Sequence, residues 1–437
     1  MNQKGIALIV VLWISAILTL LLYAFLIEMR AEAALSDSYG ARKKAEQVAL
    51  SAIDKAIVTI ESDRRTHHTL TDAWAHSDGA YEAKLGDGTY TLLRPAYQEG
   101  KVYWGSIDEA SRINLNVAPK ESLLKLPGMT EEIADSVIDW RDSDESPGTH
   151  GAESSYYQAL QPAYACKNDN FETVEEMLYV KGVTATLFWG EDRNQNGILN
   201  PGEDTDQDGE LDYGFYAFIT VYSRDKEIRA DGSARLDLNT GSAQYQQELG
   251  DILDSLTIQR MQQRLLQGDP YRSVADILDV QGVTPDRFKK IADRLTVLGT
   301  STKAPGRVNV NTAPRQALLA LPDIQEEFVD ALIAYRAAKN ADLSNIGWLL
   351  DVEADESLKR DQLKAIANFI TVRSYQFRID AAARIGEKVE EGDKEARPFP
   401  FRRLVAAYDT LDHRLIYFKD TTAMGFPYDP WEKPQSP

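Results

Sequence analysis

Apolar positions divide the chain into stretches of different period. From Ile6 to Ile27 there are 22 residues without a charge. As a helix rising 1.5 Å per residue this run spans about 33 Å, enough to cross a bilayer. From 31 to 60 no proline occurs, and Ala45, Ala49, Ile53, Ala56 and Ile60 recur at three- and four-residue steps beside Arg42, Lys43, Glu46 and Asp54. That spacing predicts an amphipathic helix continuing the apolar one, with Gly40 a candidate bend. The period then shortens. Residues 81–85 and 89–93 around Gly86-Asp87-Gly88 read as a β-hairpin, and 102–107 as a further strand. Helical periodicity returns until about residue 372. Strand-like composition reappears at 375–385, 402–408 and 414–418, broken by a charged connector at 386–397, and the tail after Asp420 reads as extended.

The predicted fold is α+β. One antiparallel sheet is drawn from both ends of the chain and packed on the helix of 31–60, with a large all-helical insertion between its strands. The boundaries expected are a leader at 1–5, a membrane helix at 6–27, the long helix and first strands at 28–106, the insertion at 107–372, and closing strands and tail at 373–437.

The insertion repeats itself. Ile113-Asn114-Leu115-Asn116 and Val308-Asn309-Val310-Asn311 each lead into Ala-Pro and an apolar-periodic helix, while Leu236-Asp237-Leu238-Asn239 opens a third copy without the proline. Downstream, residues 173–184 align without gaps to 273–284, and 345–352 give a weaker third match. Such register marks duplication, in copies at about 107–190, 228–303 and 304–372. Leu126-Pro127-Gly128-Met129 between two short apolar-periodic stretches looks like a helix-hairpin-helix; Asp323 takes the glycine's place in the last copy. Glu131, Glu132, Asp135 and Asp139, then Glu326, Glu327 and Asp330, crowd the following helices. Carboxylates there would repel a phosphate, so these hairpins are expected to pack rather than to bind nucleic acid.

Residues 192–203 read DRNQNGILNPGE. Asp192, Asn194 and Asn196 alternate, Gly197 falls sixth and Glu203 twelfth, the order in which an EF-hand loop wraps a calcium ion with oxygens. Ile198 is expected to offer its carbonyl and Asn200 a direct or water-mediated contact. A second, incomplete copy follows with Asp204, Asp206, Asp208, Gly209, Glu210 and Asp212, its twelfth position being Phe215. The calcium-binding stretch expected is therefore 192–215; the plainer alternative is a solvated acidic turn.

Composition narrows the functions available. Forty-eight basic against 68 acidic residues leave a net charge of −20, which opposes phosphate-backbone binding. The single cysteine, Cys166, excludes an intrachain disulfide, and the five histidines form no HExxH. With no nucleophile elbow, paired-acid motif or Walker motif, an enzyme is not expected. A membrane-anchored helix-hairpin-helix DNA receptor is the alternative, and it requires basic hairpin surfaces.

The start of the chain, Met-Asn-Gln-Lys-Gly followed by the apolar helix, resembles a type IV prepilin signal. The resemblance implies cleavage between Gly5 and Ile6 by a membrane-embedded prepilin peptidase; an uncleaved signal anchor is the other reading. Lys4 ahead of the apolar run favours a cytoplasmic N-terminus, with the bulk of the chain periplasmic across a bacterial inner membrane. Major pilins carry a glutamate five residues after the cut, where this chain has Val10. That hydrophobic variant, with the helical insertion, resembles the general secretion pathway protein K family of minor pseudopilins, whose members as a rule carry two hairpin copies; the third is a departure. The family implies a place at the tip of the type II secretion pseudopilus. It also implies a heteromeric complex with minor pseudopilins of types I and J, made through N-terminal helices. Ala45, Ala49 and Ile53 are the candidate contacts.

Overall fold

The computed structural model describes residues 3–97, 101–299, 306–386 and 399–428, without the side chains of residues 3–8 and 101. Helix α1 (Gln3–Ser62) runs through Gly40 without a break. At 1.5 Å per residue it is about 90 Å long. Its apolar side chains from Ile9 to Met29 stand exposed, and this is the one described helix long and apolar enough to cross a membrane. Its second half lies on a sheet. Ala49, Ala52 and Ala56 meet Ala381, Ala383 and Ala406 in one buried cluster, with Ile53 and Ile60 filling in around them. Small side chains on both surfaces let helix and sheet approach closely.

Burial of that stripe corrects one expectation. Ala45 and Ala49 are fully buried and Ile53 is 2% exposed within this chain, Ala49 and Ile53 in the cluster beneath its own sheet, so none of the three is available to a partner's helix. Periodicity identified the apolar face correctly but could not say which surface covers it.

Strand β1 (Ala83–Leu85) joins β2 (Gly88–Ala96) through the two-residue turn Gly86-Asp87. Gly86, at φ +59°, takes the first central position, the conformation that favours glycine in a tight hairpin. Strand β3 (Lys101–Trp104) returns along β2, and β4 (Ile107–Asp108) is the last strand before the insertion.

The insertion contains three units, each tied by a two-residue parallel bridge. In the first, β5 (Ile113–Asn114) is followed by α2 (Lys120–Leu123), α3 (Glu131–Arg141), α4 (Ser154–Tyr157) and α5 (Ala185–Trp189), and closes on β6 (Ile219–Thr220). In the second, β7 (Leu236–Asp237), α6 (Tyr245–Leu249), α7 (Ser255–Leu266) and α8 (Pro285–Ile291) close on β8 (Leu295–Thr296). In the third, β9 (Val308–Asn309), α9 (Arg315–Leu319), α10 (Glu326–Arg336) and α11 (Glu356–Ile366) close on β10 (Ile370–Thr371). The first unit therefore runs on to residue 220, and the acidic loop lies inside it rather than between copies.

One asparagine locks each unit. Asn116 exchanges two hydrogen bonds with the backbone of Phe171 (3.0 and 2.7 Å), and Asn239 does the same with Tyr271 (2.9 and 2.9 Å). Asn311 donates to the Leu343 carbonyl (3.1 Å) and accepts from Trp348 Nε1 (3.0 Å). All three units share one apolar core.

The chain re-enters the sheet as β11 (Gln376–Ile385), followed by β12 (Phe401–Asp409) and β13 (Arg414–Asp420). The order is β1-β2-β11-β12-β13, with β3 on β2 and β4 on β11, and every pairing is antiparallel. One face takes α1. The other buries charge in pairs: Arg378 with Glu109 (2.6 Å) and Arg403 with Asp380 (2.6 Å). Over residues 421–428 the tail is not extended; 429–437 lie outside the described residues. It makes a short turn at Thr422–Met424 and brings Tyr428 Oη onto Thr91 Oγ1 (2.8 Å).

Candidate functional site

The acidic loop leaves the end of α5 and rejoins the fold at the buried Phe215. Its first half is closed on itself. Asp192 accepts from the backbone N–H groups of Asn196 and Gly197 (both 2.9 Å), and Glu203 accepts from that of Asn200 (3.0 Å). The amides of Asn194 and Asn196 both converge on that of Asn200, at 2.7 and 2.8 Å. Gly197 is at φ +75°, and a Cβ there would come within 2.7 Å of Pro95, so glycine is required twice over. The Ile198 side chain packs on the core between α1 and the sheet.

Arg403 anchors this loop to the sheet. Buried on β12 and paired with Asp380, it also donates to the carbonyl oxygens of Asn194 and, at 3.1 Å, Gln195. Asn196 reaches the carbonyl of Pro427 in the tail (2.7 Å). Neither contact was legible beforehand, since both partners lie more than 200 residues away in sequence.

The second half holds Asp204, Asp206, Asp208, Glu210 and Asp212, joined by a residue that the spacing argument missed. Glu191, buried, accepts from the backbone and hydroxyl of Thr205 (2.6 and 2.5 Å), which hold its carboxyl below the usual range. It also accepts from the backbone N–H of Asp212 (3.3 Å). One carboxylate oxygen each from Glu191, Asp204 and Asp206 lies within 4.8 Å of the others. Asp208 and Glu210 are exposed, and their backbone N–H groups donate to the carboxylates of Asp206 (3.3 Å) and Asp208 (2.8 Å). Glu191 immediately precedes the first loop position, and that adjacency was the available signal.

The donor set fits a hard divalent cation. The Asp192 carboxyl is pushed up to about 6, first by burial and further by the Glu203 charge. Asp204 Oδ1 is buried without a hydrogen-bond donor. The Arg403 charge offsets the Asp192 shift only in part, and every side-chain donor in the set is oxygen, the ligand type of calcium.

The hairpins neutralise their own cations. Lys120 is bound by Glu131 and Asp135 (2.5 and 2.6 Å), and Arg315 by Glu326 and Asp330 (2.5 and 2.7 Å). Gly128 (φ +74°) and Asp323 (φ +48°) hold equivalent turns. Those turns lie against each other through Lys125 Nζ to the Leu321 carbonyl (3.1 Å) and Gln316 Nε2 to the Lys125 carbonyl (2.9 Å). A phosphate would have to displace these contacts. At the N-terminus, Gly5 and Ile6 lie within α1, their side chains outside the described residues.

Residues 116–189, the opening of the first helical unit, match the family model for type II secretion system (T2SS) protein K. A putative type II secretion system protein K of Escherichia coli (strain K12) is 25% identical over 214 residues, covering 43% of this chain and 60% of that protein. Type II secretion system protein K of Pseudomonas aeruginosa is 28% identical over 194 residues, covering 41% and 58%. The chain thus spans about 60% of the length of these relatives. A chain in the crystal structure of the GspK-GspI-GspJ complex from the enterotoxigenic Escherichia coli type 2 secretion system superposes over 90% of this chain and 97% of its own length, at 13% identity and a TM-score of 0.38.

Proposed function

We propose, from the premise that this chain belongs to the type II secretion system protein K family, that it is a minor pseudopilin capping the secretion pseudopilus and promoting protein export across the outer membrane. One observation carries the reading. The residues that match the family model open a helical domain spliced between β4 and β11 of a sheet that packs on a long helix with an apolar, exposed first half. That architecture suits a tip subunit. The helix tethers and docks, while a bulky insertion is tolerated only where no further subunit stacks above it. Val10 in place of a carboxylate agrees, because a subunit with nothing ahead of it has no amine to neutralise.

The part played is mechanical rather than catalytic, in a single-pass protein of the inner membrane with its bulk in the periplasm. Its partners are minor pseudopilins of types I and J. With Ala45, Ala49 and Ile53 covered, their contacts fall to the exposed apolar residues of α1, among them Leu35, Tyr39 and Val58. Shape fit along these helices decides the pairing, since lipid supplies no hydrophobic drive between them. The hairpin repeats act as packing modules that build the cap.

Calcium completes the loop of 191–212. Asp192, Asn194, Asn196, the Ile198 carbonyl, Asn200 and Glu203 hold one ion, and Glu191, Asp204, Asp206 and Asp212 draw on the same cation supply. Its contribution is positive charge that lets these carboxylates share one turn and fixes the turn on Arg403. The pilin assignment is tested by co-expression with a prepilin peptidase and sequencing of the membrane-extracted chain. A new N-terminus at Ile6 supports it; Met1 retained beside active peptidase contradicts it.

A further inference from the structure

Where the sheet meets the helical insertion there is a cleft of about 430 Å³ lined by four arginines. Arg94 comes from β2, Arg112 from the residue before β5, Arg315 from the start of α9 and Arg336 from the end of α10. The sheet, the first unit and the third unit thus each bring positive charge to one place, in a chain whose net charge is −20. The walls between the arginines are apolar and aromatic, from Leu70, Pro95, Tyr97, Tyr103 and Ile333.

Three of the four are engaged. Arg94 Nε donates to the Ala75 carbonyl (2.6 Å), and its guanidinium lies 4.2 Å from the centre of the Tyr103 ring. Arg315 is held by Glu326 and Asp330, and Arg336 donates to the carbonyls of Val310 and Ala313 (3.1 and 2.6 Å). Arg112 differs. It is 1% exposed, and its guanidinium lies 5.6 and 5.8 Å from the ring centres of Tyr97 and Tyr216. Neither of its η nitrogens has a hydrogen-bond acceptor among the described residues. Glu109 is already ion-paired with Arg378 (2.6 Å) and accepts from the Thr220 hydroxyl. Against its burial, the charges of Arg378 and then Arg112 hold the Glu109 carboxyl below the usual range. One carboxylate therefore serves two buried guanidiniums, and one positive charge is left over. Asp108, the one carboxylate lining the cleft among the described residues, is taken up by the side chains of Thr312, Ser374 and Asn309 (2.5, 2.6 and 3.1 Å). A buried cation whose N–H groups meet no acceptor is costly, and an anion in the cleft removes that cost.

We infer that this cleft binds a carboxylate carried on an apolar or aromatic body, with Arg112 as its anchor. The planar fork of a guanidinium matches a carboxylate through two parallel N–H···O bonds. A single uncompensated charge calls for a monoanion rather than a phosphate dianion, and the apolar walls bury the body of the acid. Bound there, the acid bridges β2, the first unit and the third, so its occupancy sets how firmly the insertion is held on the sheet.

The test uses the full chain in detergent with para-fluorobenzoate as probe, followed by fluorine NMR against protein-free micelles. One saturable site per chain is expected, with the neutral isostere para-fluorobenzamide binding roughly tenfold more weakly. Arg112→Gln should weaken the benzoate by about the same factor and leave the amide unchanged, a split that a merely structural loss would not give. Ala96→Phe, at the half-buried end of β2, narrows the cleft with Arg112 intact and should abolish binding of both. It decides should Arg112→Gln fail to give a folded circular dichroism spectrum. N-acetyl-para-fluorophenylalanine, which mimics a polypeptide end, separates the two sources of such a group: binding tighter than the benzoate supports a site for a chain end, and weaker binding supports a site for a free acid. Equal binding of benzoate and benzamide overturns the inference. So do unchanged binding in a folded Arg112→Gln or Ala96→Phe chain, and displacement of the probe by inorganic phosphate at lower concentration than by unlabelled benzoate.

Discussion

Arg403 ties two distant parts of the chain together through one buried side chain. It lies 1% exposed between Asp380 and the carbonyls of the acidic loop, so it joins sheet and loop at once. Removing one partner of a buried ion pair strands the other's charge, which costs about 3–5 kcal/mol. Arg403→Ala should therefore lower the stability measured in urea by that order, and should expose residues 193–200 to protease. The loop itself makes the second prediction at this scale. With its carboxylates crowded and Asp204 Oδ1 unpartnered, chelator should lower the melting temperature of the full chain and speed cleavage near residue 200. Asp192→Asn should shrink both responses. An identical melt in saturating calcium and in chelator would remove the loop from consideration as a calcium site.

Among the elements, the three helical units share one device, an asparagine that bridges the entry strand to the turn before the next helix. Asn311 is 2% exposed and bonds Leu343 and Trp348, whereas Asn116 and Asn239 each serve one partner and are less buried. Leaving buried hydrogen-bonding groups unmet costs about 1–3 kcal/mol. Alanine at each position should destabilise the chain, with Asn311→Ala at the top of that range and the other two at the bottom, as read from urea midpoints. The opening motif of each unit was legible, because Asn-x-Asn or Asp-x-Asn before a helix stands out in one dimension. The closing strand was not. Phe218-Ile219-Thr220-Val221, Leu295-Thr296-Val297 and Phe369-Ile370-Thr371-Val372 repeat as well, but two-residue parallel bridges carry too few residues to show a period. That is why the first unit was expected to stop near 190 when it continues to 220. Similarly, the hairpin of β1 and β2 was visible from its glycines, yet the strand starts at Gly88 because the turn needs only two residues.

At the scale of the whole molecule, periodicity identified which face of α1 is apolar and spacing identified the acidic loop. Both signals are local. What covers that face, and what anchors that loop, depend on residues hundreds of positions away, on β11, β12 and the tail. Hence Ala45, Ala49 and Ile53 were assigned to a partner when they belong to this chain's own core. The central proposal is that this chain docks through α1 onto minor pseudopilins of types I and J to form a cap. Native mass spectrometry of the full chain, co-extracted in detergent with minor pseudopilins of types I and J from the same cell, measures this most directly. The account predicts one heteromeric complex containing all three chains, weakened by Leu35→Glu together with Tyr39→Glu. A chain that emerges alone, associated with neither partner, would contradict it.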